Sequence, residues 1–316
     1  MDMLALILEI FAVMAFFGIA AEIIALGIEK LEPLMGQGMS GGILLGFLGA
    51  LPETVFVIVA TLGKSYDIAI GAALGGNIIL FTFGIGVVGI AYSRKWKRPI
   101  EMKEDYHIEL YFLLASTVLL GILVVYGSLG QISGAILFSL YIIYVAYRYA
   151  HAHGRIVKSS TAHGTRSALM RGLAYLAIGA LIIVPLSYVF VGLVSDLSSA
   201  LLLPALWLAL FIAPLASDLG ENMSGYRIAT RGEGGGSTAI VSFIGGKIQN
   251  NTMLIGLIGL LAAQPVLLGN AKFDLIAVIA VNLVALAVVS KRRLTLRGSI
   301  LLMLAYAAII IGALMY

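Results

Sequence analysis

The 316-residue sequence contains no cysteine, which excludes a disulfide framework and any cysteine-ligated metal centre. Charge is scarce too: 20 Lys and Arg with 16 Asp and Glu make up 11% of the chain, where a soluble domain carries roughly a quarter. That deficit excludes an ordinary soluble protein. His-Glu-x-x-His and P-loop patterns are missing, so nothing supports an intramembrane zinc hydrolase or an ATP-driven pump. The formal charge of +4 does not indicate a nucleic-acid partner, because the basic residues fall in short gaps between apolar runs rather than on one face. His107, His151, His153 and His163 lie in or beside the same gaps and read as solvated loop residues.

What the sequence has in abundance is apolar residues, 61% of the total. A spanning helix needs about 20 of them to cross roughly 30 Å of hydrocarbon with its backbone satisfied internally. Ten segments qualify, near residues 4–27, 41–63, 67–92, 108–127, 132–149, 172–194, 200–229, 236–263, 272–290 and 297–315. They predict an all-α membrane protein with ten transmembrane helices and the lipid bilayer as its surroundings. The first run is longer than a signal-peptide core and has no basic residue before it, so it is expected to stay in the mature chain. Loops after spans 1, 3, 5, 7 and 9 hold 17 Lys and Arg, whereas the alternate loops hold Lys64 and Lys272. Positive charge stays on the cytoplasmic side, so both termini are expected outside. The remaining basic residue, Lys247, falls within span 8.

The longest polar gap divides the helices five and five. It suggests a first five-helix repeat over 1–149, a cytoplasmic linker over 150–171 and a second repeat over 172–316. Sliding the chain on itself by 170 residues lays ALGGNIILFTFGIGVVGI (73–90) over FIGGKIQNNTMLIGLIGL (243–260), with seven identities, four of them glycine. Reducing the offset by two, to 168, brings GALPET (49–54) over SDLGEN (217–222) and aligns Glu53 with Glu221. The repeat cores are thus about 41–92 and 206–263. An odd number of helices per unit makes the second unit enter from the opposite face, so the repeats are inverted, as in transporters that enclose a midplane site.

Glu53 falls near the centre of span 2, where an ionised carboxylate costs about 2.5 kcal/mol or more unless it is paired or faces a polar cavity. Pro52 lacks an N–H and cannot bond the carbonyl of Leu48, so a free oxygen is expected one turn from the carboxylate. Hard cations such as Ca²⁺ want both kinds of oxygen. Span 7 repeats the device with Pro214, Asp218 and Glu221. Hydropathy alone would put Glu221 near the cytoplasmic end of that span, and the repeat alignment puts it mid-membrane. Asn77, Thr82, Gln249, Asn250, Asn251 and Thr252 on spans 3 and 8 would wall the site, since amide and hydroxyl oxygens ligate cations without adding charge. Lys247 is expected to pair with Asp218 or Glu221, leaving a local charge near −2 that suits one divalent ion. Glu22 reads as an interface residue.

These residues resemble the calcium/cation antiporter superfamily, whose members carry G-T-S-L-P-E on one helix and G-N-x-x-G-S-N-I-x-N on the next, in each of two inverted halves. Here the first repeat reads GALPE (49–53) and IAIGAALGGNI (68–78), and the second reads SDLGE (217–221) and IVSFIGGKIQN (240–250). The resemblance implies an antiporter rather than an enzyme, with no resident cofactor and Ca²⁺, Na⁺ or H⁺ as the transported ions. It implies metal ligation by Glu53, Glu221, Asp218, Asn250 and Asn77, and a lining of Lys247, Pro52, Ala50, Ser217, Gly76 and Gly246. Departures from the motif are Ala50, Gly76 and Gly246 where it has hydroxyls, Leu80 for its last polar ligand, and Lys247 for an asparagine. The expected setting is the plasma membrane of a prokaryotic cell, with the monomer as the working unit. An organic-solute exporter of the drug/metabolite type, or a non-transporting member of the fold with Lys247 filling the ion site, are the alternatives.

Overall fold

With so few charges and so many Leu, Ile, Val and Ala residues, the chain can satisfy its backbone in an apolar medium only by closing hydrogen bonds within each segment. The computed structural model is accordingly almost all helix. It describes residues 3–35, 50–102, 106–153 and 166–314. The elements are α1 (Met3–Met35), α2 (Leu51–Leu62), α3 (Tyr66–Ile79), a π turn over Leu80–Gly84, α4 (Ile85–Trp96), β1 (Ile100–Glu101), α5 (His107–Tyr126), β2 (Ser128–Leu129) and α6 (Gln131–His153). They continue as α7 (Arg166–Leu201), α8 (Ala205–Ser217), α9 (Leu219–Arg231), α10 (Gly235–Gln249), a second π turn over Asn250–Leu254, α11 (Ile255–Leu261), β3 (Val266–Leu267), α12 (Lys272–Ser290), β4 (Arg293–Leu294) and α13 (Leu296–Leu314).

Among the described residues six helical stretches are long and apolar enough to cross a membrane, and the apolar helices Leu51–Leu62, Ala205–Leu215 and Leu296–Ile311 are shorter. Several expected boundaries move. The sixth span, expected over 172–194, is part of the 36-residue helix α7, and helix also runs through His153, so both ends of the 150–171 gap are helical. The seventh span is not one continuous helix, because α8 ends at Ser217 and α9 begins at Leu219.

Two local geometries recur along the chain. The π turns at 80–84 and 250–254 lie 170 residues apart, the offset of the glycine motif. In each a threonine hydroxyl, Thr82 or Thr252, donates to the carbonyl four residues back, Ile78 or Ile248. That competing bond fits a local loosening of the helical ladder. The starts of α2 and α9 recur at an offset of 168. Ala50 (φ −88°, ψ 8°) and Asp218 (φ −97°, ψ −6°) are their N-caps. Their carbonyls accept the side chains of Thr54 at 2.8 Å and Asn222 at 3.0 Å, respectively.

Small residues set how closely the helices approach. In α6 and α11, a Cβ at Gly134 would stand 2.7 Å from the Gly256 carbonyl oxygen, and one at Gly259 would stand 2.8 Å from that of Gly130. Two backbones meet there directly, as small-residue faces allow in membranes. In α1 and α7 contacts pair Gly27 with Gly172, Ile24 with Gly179 and Phe17 with Phe190. The residue numbers run in opposite senses, so these two long helices are antiparallel. In α3 and α8 they run in the same sense, Gly71 meeting Leu206 and Gly75 meeting Leu210. Two short antiparallel ladders tie the ends of the bundle, β1 with β4 and β2 with β3.

Candidate ion-binding site

The two helix starts place the acids. Glu53 and Glu221 are each the third residue of their helix, α2 and α9, where the first-turn N–H groups and the helix dipole favour negative charge by about 0.3–1 kcal/mol. Pro52 occupies the first turn of α2, where its missing N–H costs no intrahelical bond. The Leu48 carbonyl, expected to be freed by Pro52, lies outside the described residues. Pro214 lies inside α8, so the Leu210 carbonyl has no intrahelical donor from it. Gly75 admits that carbonyl against α3: a Cβ there would be 2.0 Å from the Leu210 oxygen.

Glu53, 5% exposed, accepts a hydrogen bond from Asn250 Nδ2 at 2.9 Å. Asp218, 2% exposed, accepts one from Ser217 Oγ at 3.1 Å, and its second oxygen lies 3.3 Å from Lys247 Nζ. Of the two expected partners for the ammonium, the structure selects Asp218. Glu53 is within Coulombic reach of Asp218, Lys247 and Glu221, so four charged groups from α2, α9 and α10 share one buried locality. Gly76 and Gly246 open that locality. A Cβ at Gly76 would meet Asn250 Nδ2 at 2.6 Å, Asp218 Oδ2 at 2.7 Å and Lys247 Nζ at 2.8 Å, and one at Gly246 would meet Glu221 Oε1 at 2.8 Å. Ala50 contributes its carbonyl as the α2 cap. Among the described residues no group of three His, Asp or Glu side chains is gathered closely enough to hold a metal ion; an ammonium stands among the acids instead.

The expected walls are partly redirected. Asn77 is not turned to the acids: its amide donates to Asn251 Oδ1. It follows Gly76, and neighbouring helical residues point about 100° apart, so when Gly76 faces the acids Asn77 faces away. Asn251 continues to Ser116 Oγ at 3.2 Å, and Asn282 donates to Thr117 Oγ1 at 3.2 Å. Thr82 and Thr252 are spent on their own backbone, and Gln249 accepts from Tyr141 OH at 3.1 Å. Glu22 is exposed.

The sequence reading missed a second buried ion pair. Glu109, 1% exposed, meets Arg148 Nη2 at 2.7 Å, with Tyr144 OH donating to the same carboxylate oxygen at 3.5 Å. A signal was present: Glu109 opens span 4 and Arg148 closes span 5, and antiparallel neighbours bring those ends level.

Acids at two helix starts, with an amide and an ammonium among them, are the kind of intramembrane polar cluster that marks a functional site. The sodium/calcium exchanger family model matches residues 5–150 and 171–315. The chain therefore belongs to the sodium/calcium exchanger protein family, whose members are membrane antiporters. It is 37% identical over 70 residues to the sodium/calcium exchanger NCL1 of Oryza sativa subsp. japonica, a stretch covering 20% of this chain and 12% of that protein. Its fold is similar to that of the H⁺/Ca²⁺ exchanger CAX, at TM-score 0.81 and 19% identity over 98% of this chain and 86% of the other. It is also similar to the sodium-calcium exchanger NCX_Mj soaked with 100 mM Na⁺ and 10 mM Sr²⁺, at TM-score 0.64 and 19% identity over 98% of both chains.

Proposed function

We propose that the protein is a secondary active antiporter that exchanges Ca²⁺ for Na⁺ or H⁺ by alternating access across the plasma membrane. The observation that carries this reading is the gathering of Glu53, Asp218 and Glu221 around Lys247 and Asn250 at two equivalent helix starts. Glu53 and Glu221 supply the charge that draws a divalent ion from water, Asp218 adds a third carboxylate, and Asn250 adds an amide oxygen. Ser217, Gly76 and Gly246 leave those groups room to turn. Ca²⁺ takes six to eight oxygens at about 2.3–2.6 Å, so the carboxylates close on the ion from their present spacing and the ammonium yields to it. Carboxylates at two helix breaks allow that closure without unwinding a continuous helix.

The architecture that goes with this function is ten spans in two inverted halves, 1–149 and 172–316, joined by the cytoplasmic linker 150–171, with both termini outside. Supporting it are the recurring π turns and helix starts, the parallel run of α3 with α8, and the antiparallel runs of α1 with α7 and α6 with α11. The monomer is the working unit. An organic-solute exporter needs no paired carboxylates at equivalent helix starts, which disfavours that alternative. The test is ⁴⁵Ca flux through purified protein in liposomes under imposed Na⁺ or H⁺ gradients. Uptake driven by either gradient supports the reading, and absence of uptake under both overturns it.

A further inference from the structure

The site contains a cation of its own. The Lys247 side chain is 1% exposed and its Nζ lies 3.3 Å from Asp218 Oδ2. An ammonium carries three protons to donate, and among the described residues this one makes a single hydrogen bond, to Asp218, while Glu53 and Glu221 act on it through space. It therefore behaves as a cation held among acids by charge, on a tether, rather than as one member of a closed bidentate pair. The ammonium, Asp218 and Asn250 all converge on the point where a Gly76 Cβ would stand. At the equivalent position 170 residues earlier the chain has Asn77, which is neutral and bonded to Asn251. A fixed positive charge is thus present at one of the two equivalent positions.

Charge balance gives this asymmetry a consequence. Glu53, Asp218 and Glu221 with Lys247 leave two negative charges to be matched by ions when the acids are ionised. We infer that Lys247 takes the place of one transported monovalent cation, so that the carrier binds either one Ca²⁺ or two monovalent ions and exchanges them without net movement of charge. The inference rests on the reading of these acids as the Ca²⁺ site. With Lys247→Asn, three carboxylates face the two charges of Ca²⁺, and a buried charge left without a partner is strongly disfavoured. A monovalent cation then has to bind together with Ca²⁺.

Two measurements test this. In liposomes holding the wild-type protein, Ca²⁺ uptake at a fixed ion gradient is expected to be unchanged by an imposed membrane potential of either sign. In detergent and alkaline choline buffer, adding Na⁺ or K⁺ is expected to tighten Ca²⁺ binding to Lys247→Asn by at least about tenfold, and to leave wild-type binding unchanged or weaker. The double variant Asp218→Asn with Lys247→Asn restores the charge count and is expected to lose the monovalent dependence. It also leaves no unpaired charge at that position, and the wild-type response to membrane potential tests the inference by itself if the single variant does not fold. Uptake that follows the membrane potential in the wild type, or a monovalent dependence in the double variant equal to that of Lys247→Asn, overturns the inference while leaving Ca²⁺ transport intact. No Ca²⁺ binding by the wild type overturns the reading of the site and the inference together.

Discussion

Gly75 and Gly76 are neighbours on α3, and alanine at each probes a different part of the molecule. A Cβ at Gly75 would stand 2.0 Å from the Leu210 oxygen, 2.8 Å from its carbonyl carbon and 2.6 Å from Pro214 Cγ. Backbone cannot step aside alone, so Gly75→Ala forces α3 and α8 apart. Overpacking of this kind costs ~1–3 kcal/mol, and the ~1 kcal/mol that alanine gains over glycine within a helix offsets only part of it. A net loss of up to about 2 kcal/mol is expected. At Gly76 the new Cβ would meet only side-chain ends, those of Asn250, Asp218 and Lys247, at 2.6–2.8 Å. Those ends can swing, but swinging draws Asn250 off Glu53 and Lys247 off Asp218. A Cβ among them also displaces Asp218 and Asn250 from the place where they would ligate the ion, and one such contact to a charged group is worth about 1.5–3 kcal/mol, so Ca²⁺ affinity should fall by about tenfold or more. Thermal unfolding of the purified variants, with and without Ca²⁺, separates the two effects. Gly121→Ala is the control, since nothing lies within 4 Å of its Cβ position. Gly75→Ala melting no lower than Gly121→Ala, or Gly76→Ala keeping the wild-type Ca²⁺ response, would refute the packing argument.

Arg148→Met should destabilise the fold by up to about 3–5 kcal/mol, because it takes the guanidinium away from a buried carboxylate; adding Glu109→Gln should recover most of that in the same melting assay, and a single variant as stable as the double would show the pair to be dispensable. The chain has no cysteine, so single introduced cysteines report orientation cleanly. Leu267→Cys, exposed on β3, should react with a membrane-impermeant maleimide in intact cells, and Arg94→Cys only after permeabilisation; the reverse pattern would invert the proposed topology.

Much of this site was legible because its residues are expensive. Carboxylates in apolar helices stand out, and the repeat alignment paired Glu53 with Glu221, each of which is the third residue of its helix in the structure. Side-chain direction was less legible. Asn77 and Gly76 are adjacent in sequence, and which of them faces the acids depends on the rotation of α3, which the tight seat of Gly75 on Leu210 sets. The break at Asp218 was hidden for a related reason: Pro214 frees a carbonyl but does not reveal whether the helix bends or stops. The π turns carry no compositional mark, since LFTFG and NNTML share only the threonine whose hydroxyl bonds backward. The Glu109–Arg148 pair was not legible from hydropathy, because each residue lies at the end of a span and only the packing of α5 on α6 shows that the two ends are level.

Glu53 and Glu221 are the residues proposed to carry the transported Ca²⁺. The most direct measurement is gradient-driven ⁴⁵Ca uptake into liposomes containing wild type, Glu53→Gln or Glu221→Gln, each first shown to be folded by size-exclusion profile and melting. The amide keeps the shape of each side chain and one oxygen but removes the charge that attracts a divalent ion, so both variants should lose uptake while the wild type transports. Uptake within about twofold of wild type in either variant, a barrier change of only ~0.4 kcal/mol, would contradict the assignment of that residue.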